Sequence, residues 1–198
     1  MGGSNAFIVC ADADLEKAIP VAVKARMQNT GQSCIAAKRF LVHRSLHDDF
    51  VMRYKDAVLK LKCGDPMDET TDIGPLARVD LAEQIEKQVN ESVKMGAKII
   101  TGGRRNDAFY EPTILTGVTT DMPVFKEEIF GPVAAVLPFD NFEEAVKLSN
   151  GTEFGLGVQI FTEDIEGVKS KVHLFEEGAV FINAMVKSDP ALPFGGVK

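Results

Sequence analysis

The sequence predicts an α/β fold: a mainly parallel twisted sheet flanked by helices. Short apolar runs of strand length alternate with amphipathic stretches at helical spacing. The 198 residues, 45% of them apolar, suffice for one domain with a substantial core. Ala6-Phe7-Ile8-Val9-Cys10 reads as a buried strand. Asp12 or Asp14 then offers an N-cap to a helix carrying Leu15, Ile19, Ala22 and Val23. Pro20 removes a backbone donor there, which predicts a kink or a late start. That helix is expected to stop at Gly31. Phe40-Leu41-Val42 is a second strand, and Ser45 caps a helix through Phe50, Tyr54 and Leu61, ended by Gly64-Asp65-Pro66.

Residues 78–95 read as a long helix with Leu81, Ile85, Val89 and Val93 along one stripe and a solvated charged face. Gly96 stops it. Lys98-Ile99-Ile100 is a short strand, and Gly102-Gly103 turns the chain. Residues 101–130 have weak periodicity and are expected to form an irregular excursion. A strand over 134–139 and a helix over 142–149 follow. Two further buried strands, 158–161 and 179–182, surround a helix over 165–175.

Composition narrows the function. A net charge of −7 argues against a nucleic-acid or anionic-membrane partner. No apolar stretch approaches a membrane span, and no signal peptide precedes Gly2. Three cysteines, Cys10, Cys34 and Cys63, are an odd and sparse set, which fits a reducing cytoplasmic setting better than a disulfide scaffold. No Cys/His spacing suggests a metal; His43 and His47 read as surface residues across a strand-to-helix break.

Cys34, in Asn29-Thr30-Gly31-Gln32-Ser33-Cys34, is the most informative residue. A cysteine just past a glycine, ahead of another ordered segment, can face backbone N–H groups that favour a thiolate and an adduct oxyanion. Such a thiolate attacks carbonyl carbon. The alternative is a small buried apolar cysteine. Cys10, at the end of an apolar strand, reads as buried and inert, and Cys63, near a turn, as structural.

Four separated segments carry a resemblance: Gly2-Gly3-Ser4-Asn5, Asn29 to Cys34, Glu127-Glu128-Ile129-Phe130-Gly131-Pro132-Val133, and Pro193-Phe194-Gly195-Gly196-Val197-Lys198. In order and approximate spacing they resemble the NAD(P)-dependent aldehyde dehydrogenases over essentially the whole chain. The resemblance implies that residues 1–198 are the cysteine-bearing catalytic domain. It further implies a dinucleotide-binding half upstream, with a general-base glutamate one residue before Met1 and an oxyanion-binding asparagine, and a tail beyond Lys198. The 198 residues alone are then expected to be inactive. The full-length enzyme is expected to be a homo-oligomer.

On that resemblance Cys34 is the nucleophile, and its backbone N–H gives half of the oxyanion hole. Glu128 holds the nicotinamide ribose, Phe130 packs near the nicotinamide ring, and Gly3 lets the backbone approach cofactor or substrate. The alternatives are a solvated Glu127/Glu128 pair, a core Phe130 and a plain turn at Gly3. The cofactor is NAD or NADP, and the partner is a small-molecule aldehyde. Val186-Lys187-Ser188-Asp189-Pro190 and Arg26-Met27-Gln28-Asn29 resemble the succinate-semialdehyde dehydrogenase subgroup. A substrate carboxylate then needs donors, for which Ser188 and Lys187 are candidates. Phe194 lines the aldehyde pocket or joins the core. Gln28 departs from the subgroup, where an arginine often stands, and supplies hydrogen bonds without charge. Lys38 could substitute as a cation, whereas Arg39 is expected to face solvent. Asn183 reads as a hydrogen-bonding loop residue. A relative that passes the acyl group to coenzyme A would share Cys34. A cysteine hydrolase would need a histidine partner, and His173 has no partner motif.

Overall fold

The computed structural model describes residues 3–198; Met1 and Gly2, and with Gly2 the first position of the opening motif, lie outside the described residues. Nine strands and six α-helices are described: β1 Asn5–Val9, α1 Leu15–Met27, β2 Ala37–His43, α2 His47–Val58, α3 Val79–Lys94, β3 Lys98–Thr101, β4 Arg105–Asn106, β5 Phe109–Tyr110, β6 Thr113–Thr116, α4 Pro123–Lys126, β7 Val133–Phe139, α5 Phe142–Asn150, β8 Val158–Phe161, α6 Ile165–Lys171 and β9 Val180–Ile182. Seven strands form one sheet in the order β3-β6-β7-β2-β1-β8-β9. Every pairing in it is parallel except β3 with β6.

Alternation along the strands makes two cores. Phe7, Val9, Phe40, Val42, Ala134 and Val136 face α1 and α2, where rings of Phe7, Phe40, Phe50 and Tyr54 interlock. Ala6, Ile8, Leu41, Val133, Ala135 and Leu137 face the opposite side, against Ala82, Ile85 and Val89 of α3 and Ala145 of α5. Both faces of the central strands are covered, as a parallel sheet requires. No helix among the described residues is long and apolar enough to cross a membrane.

Several local expectations are corrected. Asp14 caps α1 by accepting from the Glu16 amide, and the helix starts five residues before Pro20 and runs through it. Asp12 instead accepts from the amides of Glu163 and Asp164 and from the Thr162 hydroxyl, so it braces the start of α6. Ser45 does not cap α2; its hydroxyl pairs with His43 Nδ1, and α2 ends at Val58. The buried stripe of α3 is Ala82, Ile85, Val89 and Ser92, while Val93 is exposed. Its charged face is not wholly solvated, because Glu86 pairs with Arg105 at 2.9 Å. The 101–130 segment contains the small β4-β5 hairpin and also β6, a full member of the sheet. The final helix ends at Lys171 and tightens into a 3₁₀ turn over Val172–Leu174, and β9 is half-buried.

Arg39 is the largest departure. It is fully buried, not solvent-facing. Its guanidinium donates to the carbonyls of Ser4 (2.8 and 2.6 Å), Leu148 (2.6 Å) and Ser149 (3.0 Å) and lies over the Phe125 ring. A buried guanidinium persists because its donors are matched to carbonyls. Near it, burial pushes the Glu177 carboxyl up to about 7, opposed by Arg39 and Lys198. The folded state therefore holds a proton on Glu177 that the unfolded chain has lost above its ordinary value of 4.5. Its contribution to stability is full below that ordinary value and is lost as pH rises to about 7. Glu177→Gln should remove this component: the difference in urea midpoint between the variant and the parent should widen in the variant's favour from pH 4.5 to 7. A difference that stays constant with pH would refute it.

Candidate active site

The cysteine loop is built from a broken helix end. The α-helix ends at Met27, and Gln28–Gly31 continue as a 3₁₀ turn in which Asn29 (φ 52), Thr30 (φ 55) and Gly31 (φ 74) are all left-handed. Helical geometry thus ends before Gly31. Left-handed Thr30 is strained by about 1–3 kcal/mol and is held by its hydroxyl bond to the Gly74 carbonyl, 3.3 Å. A Cβ on Gly31 would overlap the Gly131 carbonyl, which ties this loop to the one after Glu128. Buried Arg26 clamps both ends of the loop, donating to Gly31 O (2.5 Å) and Ala37 O (2.9 Å). Gln32 accepts from the Ala77 amide at 2.9 Å.

Cys34 is half-buried in the turn before β2. Among the described residues its backbone N–H has no acceptor, which leaves a donor free beside the thiol. A Cβ on Gly3 would overlap the Cys34 carbonyl, so only glycine lets the strand leading into β1 come this close.

Glu128 reaches the same place from the other side. Its Oε1 accepts from the Gly3 amide at 2.9 Å and lies 3.4 Å from Lys38 Nζ. Its other oxygen has no partner among the described residues, and the side chain keeps 23% exposure. A partly open carboxylate with a free oxygen suits a diol. Glu127 is exposed and accepts from Gln88 of α3 at 2.7 Å, whereas Glu128 is half-buried. Phe130 is half-buried beyond Ile129.

Lys38 was only weakly legible. It sits in β2 at 1% exposure, and Nζ also donates to the carbonyls of Ser33 (3.1 Å), Cys34 (3.3 Å) and Ala36 (3.4 Å). Burial and the Arg26 charge push it down to about 7, opposed by Glu128 and Cys34. The available signal was a lysine next to an arginine at the start of an apolar strand. Arg26 was missed as well, an arginine on the inner side of an apolar helix.

A cavity of about 410 Å³ opens beside Cys34, lined by Phe154, Leu156, Phe194 and Lys198, with Glu153 at its edge. Lys198 Nζ is held by the carbonyls of Asn150 (2.7 Å) and Thr152 (2.9 Å) and by Glu176 at 3.2 Å. Phe194, 54% exposed, belongs to this cavity and not to the core. Ser188 and Lys187 line a small second cavity that shares Leu156, Phe194 and Gly195 with the first. Gln28 is half-buried at the start of the 3₁₀ turn and lines neither. Asn183 binds the backbone of Thr162 through both N–H and carbonyl.

Another cavity, of about 300 Å³, lies at the opposite ends of the strands, against Cys10, His43, Phe139 and Thr162. No group of three or more His, Cys, Asp or Glu among the described residues could hold a metal. His43 pairs with Ser45 and the Asp140 carbonyl, and His47 with Asp48.

A half-buried thiol, an amide without an acceptor among the described residues and a carboxylate with one free oxygen thus lie together at one edge of a parallel sheet. The chain belongs to the aldehyde dehydrogenase family, whose pattern it matches over residues 1–198. It is 49% identical over its whole length to a probable succinate-semialdehyde dehydrogenase [NADP(+)] of Synechocystis, of which it covers 44%. Succinate-semialdehyde dehydrogenase [NADP(+)] 1 of Mycobacterium tuberculosis is 47% identical with the same coverage. The crystal structure of succinate-semialdehyde dehydrogenase from Burkholderia pseudomallei superposes with a TM-score of 0.96 at 40% identity, covering all of this chain and 42% of that one. The chain therefore spans less than half the length of these relatives.

The three thiols differ in environment. Cys10 is buried, and burial above all pushes it up to about 12; Cys63 is exposed, but partial burial and then Glu111 and Asp72 raise it. Iodoacetamide at neutral pH should therefore alkylate Cys34 about tenfold faster than either. Peptide mapping that finds Cys63 modified as fast as Cys34 would count against an activated thiol.

Proposed function

We propose that this chain is the cysteine-bearing catalytic domain of an NAD(P)-dependent aldehyde dehydrogenase, acting on succinate semialdehyde. The observation that carries the reading is the Gly3–Glu128 bond at the Cys34 carbonyl, which joins three motifs far apart in sequence. The free Glu128 oxygen and the glycine backbone beside it fit a ribose diol. NAD(P)+ supplies the hydride acceptor when bound. NADP is the better fit, from the names of the relatives.

Cys34 as thiolate adds to the aldehyde carbon: a C–S bond forms, and the carbonyl π pair moves onto oxygen. The free Cys34 N–H stabilises that oxyanion. Loss of hydride from the carbon restores the carbonyl as a thioester on Cys34. Water then cleaves the C–S bond, releasing the acid and returning the thiol. Glu128 holds the dinucleotide in place, Phe130 packs beside the site, and Phe194 lines the aldehyde channel. Ser188 and Lys187 are the donors proposed for the distal carboxylate; Gln28, which lines neither cavity, is set aside. Self-association into a homo-oligomer fits the unpaired outer edges of β3 and β9.

In an enzyme carrying this chain, Cys34→Ser should lower aldehyde oxidation by about 10³-fold or more. Glu128→Gln should instead raise KM for the dinucleotide by about tenfold, the loss of one charge-assisted hydrogen bond. Retention of oxidation by Cys34→Ser would end the proposal.

Substrate choice is tested separately. Succinate semialdehyde should exceed butanal in kcat/KM by about a hundredfold, the worth of a paired carboxylate. Equal rates would remove succinate semialdehyde and leave the dehydrogenase reading standing.

A further inference from the structure

Lys38 lies in the middle of the site without an assigned role. Burying an ammonium costs several kcal/mol unless it is paired and hydrogen-bonded, so an apolar residue would suit a central strand better. Lys38 meets that cost with four oxygens: the carbonyls of Ser33, Cys34 and Ala36 at 3.1–3.4 Å, and Glu128 Oε1 at 3.4 Å. The first three belong to the cysteine loop. The fourth comes from a segment 90 residues later, beyond α4. The same oxygen accepts from Gly3, whose backbone abuts Cys34.

We propose that Lys38 is a positioning residue that fastens the Glu128 carboxylate to the main chain of the Cys34 loop, so that thiol and carboxylate are held as one rigid unit. The inference rests on the reading of Cys34 as nucleophile and Glu128 as ribose ligand. The loop has three consecutive left-handed residues and an open cavity beside it, so its own backbone does not fix it. Arg26 from α1 holds the ends of the loop; Lys38 holds its middle. Without the ammonium, the Ser33 and Cys34 carbonyls and the inner Glu128 oxygen would repel one another across a dry gap.

Hydrogen exchange of the 198-residue chain tests this without any assay of activity. Lys38→Met keeps the volume and removes the charge. It should speed exchange of the 32–36 amides by about tenfold, with α2 and β8 amides unchanged, as local loosening rather than global unfolding. Lys38→Arg should restore protection to within about threefold. Glu128→Gln should loosen the same amides, and combining it with Lys38→Met should add nothing, the signature of a coupled pair. If Lys38→Met does not fold, Glu128→Gln and Lys38→Arg report on the pair from its other members. Unchanged loop exchange, a uniform rise over the whole chain, or additive effects of the two substitutions would overturn the proposal. Failure of the dehydrogenase reading would appear instead in the Cys34→Ser rate and would leave these exchange rates untouched.

Discussion

The parallel register of β7, β2 and β1 is the constraint on which the site depends. Phe40 pairs with Phe7 on one side and Val136 on the other, so the three strands run side by side in the same direction. Their N-terminal ends are therefore neighbours. Gly3 leads into β1, Cys34 into β2, and Glu128 to Phe130 into β7. Segments separated by up to 125 residues arrive at one edge because the sheet leaves them no alternative. Leu156, ahead of β8 on the far side of β1, extends the same edge and walls the cavity beside Cys34. Open parallel sheets more often use the carboxyl edge. Here that edge carries the Cys10 cavity, where the thiol is buried and raised to about 12.

The second constraint is charge inside the sheet. Consecutive residues of a strand point to opposite faces, so Lys38 and Arg39 serve different sides. Lys38 gathers the carbonyls of the cysteine loop; Arg39 gathers those of Ser4, Leu148 and Ser149 at the base of α5. Both work on backbone oxygens of turns and chain segments at the ends of elements. Arg26 does the same from α1. Three buried basic side chains thus stitch non-repetitive backbone to the sheet, and two of them, Arg26 and Lys38, hold the cysteine loop.

These charges explain much of what the sequence did and did not reveal. Alternating apolar runs were enough for the fold class, and β8 and the span of α5 were legible in outline because their residues are locally consistent. The motifs that meet at Gly3, Cys34 and Glu128 were legible through the family resemblance; a physical reason shows at the glycines, since a Cβ on Gly3 or Gly31 would overlap a carbonyl. Arg39 was read as solvent-facing because charged side chains are seldom buried; its partners are carbonyls, which sequence cannot mark. β6 was lost in the 101–130 stretch because Thr113–Thr116 is four residues long and owes its place to pairing with β7. The α3 stripe was rotated because Gln88 and Ser92 face inward to hold Glu127 and the α4 backbone, a polar task that apolar periodicity hides.

On the proposed reading, substrate choice turns on the charges that remain free near Cys34. Lys198 lines the cavity, but two carbonyls and Glu176 already occupy its ammonium, and Glu153 at the rim opposes an anion. Gln28 stands outside both cavities. On the proposed reading, a carboxylated aldehyde therefore runs from Cys34 past Phe194 toward the smaller cavity, where Lys187 and Ser188 lie. That cavity is only about 40 Å³, too small for a carboxylate with its water. Phe194, 54% exposed, lines both spaces. On that reading, what would distinguish a charged aldehyde lies in Phe194 and the segment behind it rather than in the sheet edge that carries Cys34.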